Sequence, residues 1–486
     1  MTFRGICVVL LALLCTPAVT AGETAPAIAD YPEVADAVAA WSVWAQNRAA
    51  VDGVPGMSVA VVHDQETIYL DAFGEADPDS GREAAPDTLY SICSISKLFT
   101  AIGVMQQRDA GALGLDDPLA KYLPWVGELQ DAHPDDEPVT LRRVLTHSAG
   151  LPRESDSPYW SGPDFDFPTR EELRRTLAEQ STLYPSGRYF QYSNLGLSLA
   201  GEVVASVSGT TWENYTRSRI LDPIGMQDTY TSVAAAQETG RMAAGYSQRR
   251  GSPERERLSL FEVEGIAPAA GMVSSAEDLA RFASWQLRLL AGGEGVLCAS
   301  TLREMQRVHW VDPDWETTWG LGFAVFKVGE RTVAGHGGGC PGFYTTFRIV
   351  PSEHLAVIVL SNAIGAEVSL YAARAIEIIA PALNKAREAS EPPAERDPEF
   401  DRYVGTYDTV WGRFAVVRWK DGLAVVDLDQ RDPFDDLPTL KHVEGHTFRR
   451  VRSDDESLGE AWRFVVDADG RVQSVTSHSN PAQRVN

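Results

Sequence analysis

Ser94 and Lys97 stand three residues apart in CSISKLFTA, residues 93–101, a stretch with little else that is polar. The chain has six lysines against thirty-seven arginines, so a lysine here signals chemistry that arginine does not supply. On a helix, positions three apart share a face, which lets the amine reach the hydroxyl. An amine acts as a base only once it has lost its proton, and a guanidinium keeps its own. Moving a lysine pKa from about 10.4 toward 7 takes about 4 kcal/mol, which burial among apolar neighbours supplies. If the helix begins near Ser94, unpaired N–H groups and the positive dipole end lie beside the serine. This is the chemistry of an activated nucleophile, Ser94, with Lys97 as its base. The spacing alone is weak, because Ser-x-x-Lys recurs by chance in chains of this length.

Two further segments complete a reaction. QYSNLGLSLAG, residues 191–201, places Tyr192 and Asn194 after the turn-forming Pro185-Ser186-Gly187. A phenol relays a proton between lysine and leaving group, and an amide holds a substrate carbonyl or amide. GHGGGCPGF, residues 335–343, ends a strand-like run. Its glycines let a strand edge approach a ligand and present backbone N–H donors. A tetrahedral oxyanion needs two such donors, and the N–H groups of Ser94 and Gly339 are the candidates. His336-Gly337-Gly338-Gly339 also spells the oxyanion loop of α/β-hydrolase esterases, which requires a Gly-x-Ser-x-Gly elbow. The nearest string, GLSLAG, has Ala200 where glycine is needed, so that reading fails.

The elements that must position these residues follow from periodicity. Residues 32–51 carry Val34, Val38, Trp41 and Trp44 at helical spacing, and MSVAVVHD and ETIYLDAFG read as a hairpin. Ile95, Leu98, Phe99, Ile102 and Met105 give the Ser94 helix an apolar face ending near Gly111. Residues 115–310 are mainly helix and loop. Strand patterns return in GLGFAVFKVGERTVAGHG, YTTFRIVP and HLAVIVLSN, followed by the helical VSLYAARAIEIIAPALNKA. The predicted fold class is α+β: one antiparallel sheet built from distant parts of the chain, flanked by helices, with a helical subdomain inserted in the middle. The charged, proline-bearing residues 385–398 read as a linker between a domain at 22–384 and a second at 399–486. In the second, Asp-Gly turns between alternating runs predict a small β-barrel.

The three motifs in this order resemble those of the serine β-lactamase and penicillin-binding-protein superfamily, in its branch of class C β-lactamases, D-aminopeptidases, DD-carboxypeptidases and esterases. LDDPLAKYLP at 115–124, LTHSAGLP at 145–152, ILDPIGMQDT at 220–229 and PAAGMVSSAEDLARF at 268–282 agree with it. The resemblance spans roughly residues 35–385, and the tail resembles the lipocalin-like domain attached to many members. It implies Ser94 as the acylated nucleophile, Lys97 and Tyr192 as the acid–base pair, and Ser94 and Gly339 as the oxyanion hole. Asn194, His336 and Gly338 become substrate contacts, and no metal or cofactor is required. Which of Lys97 and Tyr192 takes the first proton stays open, since close groups titrate together.

Where many relatives carry Lys-Thr-Gly, this chain has His336-Gly337-Gly338, which offers less to a substrate carboxylate. Arg348 compensates only if it faces the site. The expectation is therefore an esterase or peptide amidase ahead of a β-lactamase or a D-Ala-D-Ala carboxypeptidase or D-aminopeptidase. A penicillin-binding sensor that acylates without turnover would share the sequence. His147 is read as fixing a turn, Trp315 and Trp319 as core or rim, and Tyr159 and Trp160 as either pocket lining or loop packing.

The net charge of −25 argues against nucleic acid or an anionic membrane as partner and leaves a small molecule or peptide. Residues 1–21 read as a signal peptide: Arg4, an apolar run, then Val19-Thr20-Ala21. The protein is expected to be exported to the periplasm or beyond and to keep no membrane anchor. Of the three cysteines that remain, at least one is unpaired within the chain. Cys93, Cys298 and Cys340 are read as small buried hydrophobes. Cys93 and Cys340 each adjoin a motif, and a bridge between them is conceivable.

Overall fold

A computed structural model describes residues 27–155, 159–389 and 396–485. The predicted signal peptide lies outside the described residues. Nine strands form one sheet: β1 (Gly56–His63), β2 (Glu66–Asp77), β3 (Arg82–Glu83), β4 (Trp310–Val311), β5 (Thr318–Trp319), β6 (Ala324–Val328), β7 (Arg331–Cys340), β8 (Phe343–Val350) and β9 (Leu355–Ser361). Their order is β3-β2-β1-β9-β8-β7-β6-β5-β4, and every pairing is antiparallel. The two ends of the domain thus meet at β1 and β9, as the sequence pattern predicted.

Both faces of the sheet are covered. Helices α1 (Pro32–Val51) and α5 (Val368–Glu388) pack Trp41, Trp44, Tyr371 and Ile376 against Val59, Val61, Val357 and Val359. The opposite face carries α2 (Ser96–Asp109) and α4 (Ala276–Leu290), with Phe99 and Phe282 joining Ala60, Val62, Phe347 and Ile358 in one core. Burial on both sides explains why β1 reads as an unbroken apolar run: all eight of its residues are buried. Helix α3 (Asn194–Ser208) packs on α2 within the inserted helical part. Among the described residues no helix is long and apolar enough to cross a membrane.

The tail closes an eight-stranded barrel, β10–β17, from Gly405–Thr409 to Asn480–Arg484. Tyr403, Tyr407, Phe448, Phe464 and Val475 fill it. Its outer residues Ala415, Val417, Ala424 and Val426 join the core under α1. Trp44 Nε1 donates to the Gln430 carbonyl at 3.1 Å, and Arg396 makes two 2.6 Å contacts with the buried Asp36. Lys385–Glu388, predicted as the start of the linker, continue α5 instead; Lys, Ala, Arg and Glu are strong helix formers, and Ala386 is buried.

Candidate active site

Ser94 lies in a 3₁₀ turn, Cys93–Ile95, that feeds directly into α2. Cys93 holds φ +48°, a left-handed conformation that side chains adopt at a cost and keep where their surroundings hold them. Here those surroundings are explicit. Ser96 Oγ donates to the Cys93 carbonyl at 2.6 Å and accepts from Met272 N at 3.0 Å. Cys93 is also disulfide-bonded to Cys340, the last residue of β7. The reading of both as unpaired buried hydrophobes is thereby corrected; Cys298 is the free one, and it is exposed.

The same strand brings in the third motif. Pairing with β6 stops at Gly335, so residues 336–340 have no strand partner on that edge. A Cβ on Gly338 would meet the carbonyl carbon of Ile92 at 3.0 Å and its oxygen nearer still. Gly338 therefore permits close approach of the strand to the Ser94 turn. Gly337 and Gly339 are exposed beside it. Between the disulfide and this contact, β7 is fastened to the turn on either side of Gly339.

Lys97 is fully buried; its Nζ donates to Asn194 Oδ1 at 2.7 Å and the Ala269 carbonyl at 2.8 Å, and lies 3.0 Å from Ser94 Oγ. Burial pushes its pKa well below the ordinary lysine value, which leaves a neutral amine accessible as a base. Tyr192 is moved the opposite way: burial raises its pKa, with a hydrogen bond to Ser94 acting against the rise. Its ring centre is 4.9 Å from Lys97 Nζ. A neutral amine can accept a proton and a protonated phenol can pass one on.

Asn194 begins α3, capped by Ser193, whose side chain accepts from Gly196 N at 2.8 Å. Its amide has one orientation that satisfies both neighbours: Oδ1 toward Lys97 and Nδ2 donating to Glu154 Oε1 at 2.5 Å. Glu154 Oε2 accepts from the Tyr159 hydroxyl at 2.6 Å. Tyr159 thus supports the site from behind, while Trp160 packs on Phe167 and Phe261.

His147 does more than close a turn. Its Nδ1 accepts from Ser193 N at 3.1 Å, and its ring lies 4.3 Å from that of Tyr192. Burial holds it neutral, as an acceptor there must be. Trp319 packs on His147, Tyr192 and His336 as a wall of the site, whereas Trp315 is 81% exposed.

His336 also stands near Tyr192, with ring centres 6.2 Å apart. Burial lowers its pKa to about 3, so it is neutral at pH 7. Arg348 does not compensate. It pairs with Gly335, packs over Phe326 at 5.0 Å, and so faces the α1/α5 layer. Register parity decides this, because neighbouring strand residues face opposite sides.

Sequence reasoning missed Arg153 and Glu154, which follow LTHSAGLP directly. The Arg153 guanidinium lies 4.9 Å above the Tyr192 ring, and its carbonyl accepts from Asn194 N at 2.8 Å. Only their place after that segment pointed to them.

A family profile described as Beta-lactamase matches residues 44–380, and one described as a domain of unknown function, DUF3471, matches residues 386–486. The D-alanyl-D-alanine-carboxypeptidase/endopeptidase AmpH of Escherichia coli K12 is 25% identical over 352 residues, covering 72% of this chain and 89% of that protein. Among solved structures, the octameric penicillin-binding protein homologue from Pyrococcus abyssi superposes with TM-score 0.62 at 24% identity, over 92% of this chain and 99% of that one. EstCE1, a hydrolase with promiscuous acyltransferase activity, gives 0.61 at 23% identity over 71% of this chain and 100% of that one.

Proposed function

We propose an activity for this chain, which belongs to the β-lactamase family and is a serine hydrolase of the β-lactamase and penicillin-binding-protein superfamily: it is exported and cleaves an ester or amide bond through an acyl-enzyme on Ser94. The observation that carries the reading is the buried Lys97, 3.0 Å from Ser94 Oγ and depressed in pKa. Lys97 takes the hydroxyl proton as Oγ attacks the carbonyl carbon. The N–H groups of Ser94 and Gly339 receive the developing oxyanion. Tyr192 then gives its proton to the leaving group and regains one from Lys97. Water attacks the acyl-enzyme by the reverse relay, which frees the acid and restores Ser94.

Neutral His336, open Gly337 and an averted Arg348 leave the third motif without a charge for a substrate carboxylate. This favours esters and peptide amides over β-lactams. A peptidoglycan D-peptidase is the second reading: the similar AmpH is named a D-alanyl-D-alanine-carboxypeptidase/endopeptidase, and Arg153, 61% exposed above Tyr192, is a cation able to meet a carboxylate. The Cys93–Cys340 disulfide supports an oxidising compartment and hence export.

The test compares the protein with Ser94→Ala on 4-nitrophenyl butyrate, a chromogenic cephalosporin and a D-Ala-D-Ala peptide. Serine-dependent ester turnover with little cephalosporin cleavage is expected. Faster cephalosporin or peptide turnover would select the other readings, a stable adduct without turnover would select a sensor, and equal rates in both proteins would overturn the mechanism.

A further inference from the structure

A cavity at the far end of α2 holds groups that the hydrolytic site does not use. It has a volume of about 520 Å³, and its lining includes Gln106, Gln107, Asp109, Tyr215, Arg219 and Cys298. Gln107 lies about 15 Å along the helix from Lys97, so the cavity is separate from the nucleophile. Gln107 is 5% exposed. Its Nε2 donates to the Val204 carbonyl at 2.9 Å and stands beside Tyr215, which leaves the buried Oε1 without a partner. Gln106 repeats the pattern: Nε2 donates to the carbonyls of Val296 at 2.9 Å and Arg219 at 3.1 Å, and its buried Oε1 has no partner. A buried acceptor without a donor is costly, so two in one cavity call for a ligand that brings N–H groups.

A charge and a thiol stand with them. Arg219 belongs to a π-helical turn, Arg217–Leu221, a rare distortion that recurs at functional sites. Among the described residues no carboxylate pairs with its guanidinium. Asp109, by contrast, is engaged by Arg108 and Thr301. Cys298 is the free cysteine, and it is exposed. Acceptors for an ammonium, a cation for a carboxylate and a reactive sulfur thus share one cavity.

We propose that this cavity is a modification site, where Cys298 takes up a cysteine from a small amino-acid disulfide of the cystine type. The Cys298 thiolate attacks one sulfur of that disulfide, whose S–S bond breaks as the bond to Cys298 forms. The departing thiolate takes up the proton that Cys298 lost, so the exchange needs no further oxidant. Arg219 receives the α-carboxylate of the added cysteine, and the glutamine oxygens receive its α-ammonium. The inference goes beyond the acyl-enzyme reading and does not depend on it.

The experiment follows intact mass at pH 7 during exposure to cystine or to 2-hydroxyethyl disulfide, which lacks both charges. N-Acetylcysteine amide, treated alike, supplies the intrinsic rate ratio of the two reagents. Relative to that ratio the protein should favour cystine by about tenfold, the effect of hydrogen bonds to charged groups. The added mass should be one cysteine, mapped to Cys298, and Cys298→Ser should gain none. Arg219→Gln and Gln107→Leu should each bring the preference toward one, while Ser94→Ala should keep it. Because the readout is a ratio, a general change in thiol reactivity cancels. A protein ratio equal to that of the free thiol would mark an ordinary exposed cysteine and overturn the proposal. So would the absence of an adduct, an adduct on another residue, or an unchanged preference in Arg219→Gln or Gln107→Leu.

Discussion

Replacing Gly338 by alanine tests the claim that β7 is pressed against the nucleophile turn. The added Cβ would meet the Ile92 carbonyl carbon at 3.0 Å, with its oxygen and Thr345 Oγ1 closer still. Carbon contacts are at ease at about 3.5–4.0 Å, so strand and turn must part by about 0.5–1 Å. Ile92 is backbone, two residues from Ser94, and has no rotamer with which to yield. Overpacking of this kind costs about 1–3 kcal/mol of stability. A displacement near 1 Å between the Ser94 and Gly339 N–H donors costs about 100-fold in rate. Gly337→Ala is the control, since its Cβ meets nothing nearer than the Thr345 carbonyl oxygen at 3.8 Å. The assay is kcat/KM on 4-nitrophenyl butyrate for both variants, with thermal melting. Equal activity in the two variants, or near-normal activity in Gly338→Ala, would refute the reasoning.

Three further outcomes are expected. Lys97→Arg keeps a cation but removes the base, so kcat should fall by about 100- to 10,000-fold; in the unaltered protein kcat/KM should rise with pH as the depressed Lys97 loses its proton, and the variant's pH profile should lack that limb. His336 titrates near 3 when folded and near 6.5 when unfolded, so below pH 6.5 the unfolded chain binds the extra proton and stability falls with pH; His336→Asn should decline on the order of 1–2 kcal/mol less between pH 6.5 and 5, read by denaturant melts. Breaking the Cys93–Cys340 bridge, across a separation of 247 residues, should cost about 2–5 kcal/mol; a reductant should lower the melting temperature of the intact protein and of Cys298→Ser alike, and leave Cys340→Ala unmoved.

Much of this molecule was legible because periodicity and motif order are local properties. The apolar face of α2, the β1–β2 hairpin and the barrel strands each announce themselves over ten or twenty residues. Ser94, Lys97, Tyr192 and Asn194 converge as their motifs implied. What stayed hidden depends on pairing across distance. The Cys93–Cys340 bridge requires knowing that β7 ends beside the nucleophile turn. Arg348 turned out to face away because of strand register, which spacing alone does not specify. Glu154 sits in a segment without periodicity, and only its contact with Asn194 marks it. Docking of the barrel on α1 rests on apolar packing and hydrogen bonds between residues more than 300 positions apart, which no local pattern encodes.

The acyl-enzyme itself is the most direct test. The protein, mixed with 4-nitrophenyl butyrate and quenched in acid within the first turnovers, should gain the mass of one butyryl group. Proteolytic mapping should place that group on Ser94, and Ser94→Ala should gain none. A butyryl group on another residue, or undiminished turnover by Ser94→Ala, would contradict the account.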